Sequence, residues 1–283
     1  MSVAPLSSSM RSSTLLGEIV TWSITGREVR VSDVHHSLEY ADLPTKEMPD
    51  LAIDKAFGRA IRKLEGDRLI RLIKRPDGRH IIFQLTQIVE GESHVEFVFE
   101  ALVYLNLETG KVECVDKAIK SKAVELLSEA EEVRTSPDIS RCVQRLFSKH
   151  ADLFPINPKK GVAYFVPAEH LEFVAKCEKF LNRLGGTFYR FPIPVGDRVG
   201  RMSVKDSVEA GMKSMLDTLE QAVDSWDDTT RGSTKDRAWE KIETLMLKQE
   251  AYADYLGDAQ ASTKQNLKRI KEKILAGKEG DDD

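Results

Sequence analysis

Apolar side chains along this chain change period several times, and each change marks an element. Leu15, Leu16, Ile19, Val20 and Ile24 recur at helical spacing, which predicts a helix over 14–24. Alternation over 28–31 fits a short strand, and Ser32 is placed to cap a helix over 33–40. Pro44 and Pro49 interrupt the chain, Asp50 opens a third helix to about Leu64, and Gly66 ends it. Residues 68–74 read as a strand, Arg75-Pro76-Asp77-Gly78 as a turn, and 79–85 as the returning strand. Helix, short strand, helix, helix, hairpin is the order of a winged helix-turn-helix, expected over 13–90.

From 93 to 200 the pattern is mixed. A hairpin is expected over 95–107 and 111–115, then a charged helix over 118–133. Another helix follows, with Ser136 as N-cap and Pro137 at its first position. A strand over 161–166, a helix over 169–184 stopped by Gly185-Gly186, and a strand over 187–193 complete an α+β domain with an antiparallel sheet. From 203 to 276 the period is helical throughout. Val208, Met212, Met215, Leu219, Ala222 and Trp226 step alternately by four and three, as do Trp239, Ile242, Met246, Gln249, Ala253 and Leu256. That is a coiled-coil-like seam, predicting an antiparallel helical hairpin, with Leu267, Ile270 and Ile274 on a further short helix. Residues 1–12 read as a disordered tail and 277–283 as an acidic one. The expected fold class is therefore α+β in three parts.

Charge changes this picture in one place. The whole chain carries 42 Lys plus Arg against 46 Asp plus Glu, a net of −4, so bulk charge cannot hold nucleic acid. Residues 51–80 depart from that balance, with nine cations (Lys55, Arg59, Arg62, Lys63, Arg68, Arg71, Lys74, Arg75, Arg79) against Asp54, Glu65, Asp67 and Asp77. At about 100° per residue, Ile53, Phe57, Ala60, Ile61 and Leu64 share one arc of the 50–64 helix, and Lys55, Arg59 and Arg62 share the opposite one. A recognition helix needs that division, one face held on its domain and the other free for a groove. Lys63 and the hairpin residues Lys74, Arg75 and Arg79 would reach phosphates beside it. Lys55, Arg59, Arg62, Lys63, Lys74, Arg75 and Arg79 are thus the candidate DNA-binding residues. The same face could instead dock a protein.

Other chemistry lacks its usual marks. Cys114, Cys142 and Cys177 are far apart and form no C-x-x-C, so they read as small buried hydrophobes in a reducing cytoplasm. His35 and His36 diverge on their helix, there is no H-E-x-x-H, and no metal or cofactor is expected. Phosphate-loop, dinucleotide and nucleophile-elbow motifs are missing. The aromatics of Phe188-Tyr189-Arg190-Phe191 could stack bases, but alternation favours one row in the core and one half-exposed. The start lacks a secretory pattern, and no run approaches the roughly 18 apolar residues of a membrane span.

Gly161-Val162-Ala163-Tyr164-Phe165-Val166-Pro167, then Tyr189-Arg190-Phe191-Pro192-Ile193-Pro194, then Ser203-Val204-Lys205-Asp206-Ser207-Val208 resemble a functionally uncharacterised prokaryotic domain family found in phage, plasmid and bacterial genomes. The resemblance spans about 93–230. It implies a microbial or viral origin and an accessory role in a phage or mobile element, and carries over no site residue. The expectation is a non-enzymatic, DNA-binding accessory protein. It would contact DNA through the basic helix and hairpin and form homo-oligomers, or bind a protein partner, through 203–276. The alternative is an adaptor that bridges proteins without touching nucleic acid.

Overall fold

Strand β1 (Leu15–Ser23) lies where the apolar spacing predicts a helix. The structure, a computed structural model, describes residues 14–24, 26, 28–64, 66–73, 78–90, 94–157, 162–227 and 229–279. It is α+β with antiparallel sheets and a helical C-terminal region. The chain forms two units, one of Ile24–Cys142 and one that joins Met1–Ser23 to Val143–Asp283. The tails 1–13 and 280–283 lie outside the described residues, as do Lys74, Arg75 and the turn they open.

In the first unit, short β2 (Val29–Arg30) leads into α1 (Val31–Tyr40), and α2 (Ile53–Arg62) follows. Both helices start without a side-chain cap, so neither Ser32 nor Asp50 plays its expected part. β3 (Arg68–Ile73), β4 (His80–Glu90), β5 (Val95–Asn106) and β6 (Val112–Cys114) make a four-stranded sheet in that order. β4 and β5 pair from His80↔Asn106 to Glu90↔Val95, so the boundary expected between 90 and 93 falls inside one hairpin. The expected wing is thus the first half of a longer sheet. α3 (Lys117–Glu132) is capped by Asp116, which accepts from the backbone N–H groups of Ala118 and Ile119. Ala56, Phe57, Ala60 and Ile61 on α2, Leu64 just past its end, and Ala123, Leu126, Leu127 and Ala130 on α3 pack on one face of this sheet. That face supplies Ile81, Phe83, Leu85, Ala101, Val103 and Leu105. β7 (Val133–Arg134) pairs with β2. α4 (Ser136–His150) comes next, and the division between units falls within it.

The second unit is built on β1. β8 (Phe154–Pro155), β9 (Tyr164–Pro167) and β10 (Thr187–Pro194) complete a sheet of order β10-β1-β9-β8. Trp22 stacks between Tyr164 and Phe188, at 5.2 and 6.1 Å between ring centroids. On the same face Glu18 accepts two bonds from Arg190, and Glu178 on α5 (Leu171–Arg183) accepts a third. Ile19, Phe165 and Ile193 join the apolar cluster of the C-terminal helices. Apolar residues of both parities are therefore used. A strand covered on two faces loses its alternation, which is why 14–24 mimics a helix. Of the 188–191 aromatics, Phe188 is buried while Tyr189 and Phe191 are about half exposed.

The C-terminal helices are α6 (Arg198–Asp224), α7 (Gly232–Ala251), short α8 (Ala253–Leu256) and α9 (Gln260–Glu279). α9 is a full partner rather than a short appendage. Its Leu267, Ile270 and Ile274 are buried in one cluster with Val208, Met212, Leu219, Val223, Ala238, Ile242 and Leu245. Trp226 and Trp239 pack against this cluster, with Lys271 of α9 lying 5.0 Å from the Trp239 ring. The coiled-coil seam is thus closed within the chain by a third helix. Of the membrane question, no helix among the described residues is long and apolar enough to cross.

Candidate functional site

The candidate cations start from α2, whose apolar stripe fixes its orientation on the sheet. Lys55 and Arg62 project into solvent, as expected. Lys63, just past the helix end, is also exposed and donates to Glu28 at 2.9 Å. Arg59 does not join them. Its side chain is only 22% exposed, and its Nη2 donates to Asp138 Oδ1 at 2.7 Å. The expected outward trio is therefore a pair. Arg79 is exposed and lies 3.5 Å from Glu108.

Asp138 is the residue the sequence reading missed. Thr135 is the true N-cap of α4: Asp138 Oδ2 accepts from the Thr135 backbone N–H and hydroxyl, both within 2.9 Å. Thr-x-x-Asp is a capping-box spacing, so this cap is legible in the sequence, one residue before Ser136. Burial alone would raise the Asp138 carboxyl, but bonds from Arg59 and Thr135 outweigh it and hold the group at about 2. Arg134 sits nearby, almost wholly buried, and donates to the Glu131 and Val133 carbonyls. Arg59 thus ties α2 to the start of α4.

The opposite face of the same sheet has the stronger surface signal. Directly paired residues share a face. Leu69↔Thr86↔Phe99 and Ile88↔Phe97 therefore line up on the side away from α2 and α3, followed by Val95 opposite Glu90. Register shifts between Leu85 and Thr86, so that Ala101 pairs with Leu85 and Phe99 with Thr86, leaving Glu100 as the extra residue. Without that bulge Val95, Phe97 and Phe99 would continue the buried row of Ala101, Val103 and Leu105. With it they turn outward. Phe97 is 63% exposed and Phe99 60%, while Leu69 and Val95 are about half exposed. Val89 and Val98 on the other face of this ribbon are also exposed.

The ribbon has an open edge as well. β6 pairs with β5 only over Val103↔Cys114 to Leu105↔Val112. Residues 95–99 consequently have no strand beyond them among the described residues. β3 forms the other end of the sheet.

The second unit holds a buried polar cluster. Asp152 accepts short hydrogen bonds from Lys248 Nζ and Tyr252 Oη, and His170 Nε2 lies 3.3 Å from the same hydroxyl. Burial would raise Asp152, but its bonds to His170, Lys248 and Tyr252 hold it at about 2. Burial and the Asp152 charge push the Tyr252 hydroxyl well above its ordinary value. These groups satisfy one another and tie α7 to the segment after α4. Among the described residues no cluster of His, Cys, Asp or Glu could hold a metal ion. Cys142 and Cys177 are buried and Cys114 is partly buried, none of the three in a disulfide.

A family of unknown function, DUF6744, matches the chain over residues 15–276. The chain belongs to this family. The match begins in β1 and ends in α9, so it takes in all of Ile24–Cys142 and most of the other unit. No curated protein and no solved structure matches the chain.

Proposed function

We propose that this protein is an assembly subunit that docks an extended protein strand on the open end of its β4–β5 ribbon. The exposed Phe97 and Phe99 beside a strand edge that no described strand covers carry this reading. Contiguous exposed apolar surface marks interaction sites, and an open edge offers a row of backbone donors and acceptors. The ribbon's charge narrows the partner. Residues 88–101 contain Glu90, Glu92, Glu96 and Glu100 and no Lys or Arg. A strand that is apolar and basic fits such an edge, with main-chain bonds giving affinity and side chains giving choice. Hydrogen exchange tests this directly. A peptide alternating valine with lysine is expected to slow exchange at the 95–99 amides, and its valine–glutamate counterpart to leave them unchanged. Equal effects of the two peptides, or none from either, overturn the reading.

The exposed cations of α2 support a second reading, nucleic-acid contact. Lys55, Arg62 and Lys63 face solvent from a helix region whose other side is buried, and α1, α2, β3 and β4 follow the helix–helix–hairpin order of a winged helix-turn-helix. Arg59 is tied to Asp138, so this surface offers fewer cations than its sequence promises. Titration of labelled duplex at two salt concentrations is the test. Binding that weakens steeply with salt, and disappears in a Lys55/Arg62/Lys63→Ala triple variant, supports it. Salt-independent or absent binding removes it.

A further inference from the structure

We infer that Glu96 selects the strand that docks here, and that this strand has two unlike faces: aliphatic on the side of Phe97 and Phe99, with a single lysine or arginine on the other side, opposite Glu96. The inference rests on the docking reading above. The four glutamates of residues 88–101 are not equivalent. Glu100 is held by Arg68 through two hydrogen bonds, at 2.6 and 2.7 Å. Glu90 stands on β4, one strand in from the open edge. Glu92 lies outside the described residues. Glu96 is on the edge stretch itself, with its side chain 60% exposed. Its hydrogen bond with His94, at 3.0 Å, is equally exposed, so an incoming cation joins it without stripping a buried contact.

Register fixes which side of a docked strand meets which residue. Val95, Phe97 and Phe99 face away from α2 and α3, paired with Glu90, Ile88 and Thr86. Glu96 and Val98 face the other way, paired with Val89 and Gln87. Side chains of an added strand alternate in the same manner, and directly opposite residues share a face. The residues opposite Val95, Phe97 and Phe99 therefore extend the apolar row, while the residue opposite Glu96 lies clear of it. An opposite charge at that position is favourable and a like charge unfavourable. A cation one position out of phase stands in the row of Phe97 and Phe99 in place of an aliphatic side chain, and leaves Glu96 facing an uncharged one. The edge thus reads phase as well as composition.

Hydrogen exchange at the 95–99 amides of the full chain, followed over a concentration series of three seven-residue peptides, tests this. The first peptide has valine at every odd position, threonine at the second and sixth, and lysine at the centre. The second has glutamate at the centre instead. The third exchanges the central lysine with the valine before it, which keeps the composition and moves the charge onto the valine face. The first is expected to protect at a concentration about threefold to tenfold lower than either of the others, the factor by which an attractive and a repulsive cross-strand pair differ. Glu96→Lys should reverse the order of the first two, and Glu96→Gln should bring them within about twofold. Circular dichroism checks that both variants keep the fold, as the exposure of Glu96 leads one to expect. A Glu96→Lys protein that still prefers the lysine peptide, or a phase-shifted peptide as effective as the first, overturns the inference and leaves the docking reading standing, since a strand still binds. Protection by none of the three overturns both.

Discussion

Arg68 on β3 reaches over β4 to grip Glu100 on β5 through two hydrogen bonds, Nε to Oε2 at 2.6 Å and Nη2 to Oε1 at 2.7 Å. Glu100 is the residue that the β4–β5 register skips. The pair therefore holds the bulge that turns Phe97 and Phe99 outward. A two-pronged Arg–carboxylate pair has a defined geometry, although its partial exposure screens it. Glu100→Gln is expected to cost about 1 kcal/mol in urea unfolding and to speed hydrogen exchange across 95–99. Unchanged exchange there would show that the bulge holds without the pair.

Arg59 and the exposed cations of its helix should separate cleanly by stability. Arg59→Ala leaves the nearly buried Asp138 carboxylate with its Thr135 bonds and the longer 3.5 Å contact from the exposed Arg141, and is expected to cost about 2–3 kcal/mol. Lys55→Ala and Arg62→Ala remove solvated side chains and should each stay within about 0.5 kcal/mol of wild type. Thermal and urea melts of the three variants give the comparison. A neutral Arg59→Ala would contradict the structural role assigned here.

Acid should unfold the protein through Asp138 and Asp152. Both carboxyls lie at about 2 in the folded chain, against about 3.9 when unfolded. Depressed folded values mean stabilisation that is complete above about pH 4 and is lost as pH falls towards 2. Each group contributes on the order of 2 kcal/mol at neutral pH on this basis. Asp138→Asn and Asp152→Asn should each lower stability at pH 7 and flatten its fall between pH 4 and 2. Variants with the wild-type acid profile would refute the assignment.

Gly17 sits where β1 shifts register against β10. A Cβ there would come within 2.2 Å of the Val166 carbonyl oxygen and 2.6 Å of the Phe165 ring, at a φ of +157°. The near contact is backbone and cannot swing aside. Gly17→Ala is expected to destabilise by about 3 kcal/mol, against a small effect for Gly66→Ala, which has open space. Comparable unfolding midpoints for the two would be inconsistent with this packing.

Much of the secondary structure was legible because local signals decide it. The helix at 53–62, the strands at 68–73 and 187–194, and the long helices after 198 follow from apolar period and breakers. The 14–24 segment was not, because a strand covered on both faces and one side of a helix place apolar residues alike. The closing of the helical seam by α9 was also hidden: period shows that a face is apolar, not which helix covers it. In the candidate site, the cationic arc of α2 was legible but the capture of Arg59 was not. Asp138 lies 79 residues further along the chain, and nothing local couples the two.

By itself the sequence determined where cations, aromatics and apolar stripes fall and which period each stretch carries, because those depend on neighbours a few residues apart. The tertiary structure alone decided that β1 belongs with the last 141 residues, that Arg59 turns to Asp138, and that a one-residue bulge sends Phe97 and Phe99 outward. Each of these is a pairing between distant segments. A strand's two faces are equivalent in its own sequence until register against its neighbours assigns one to the core and the other to solvent.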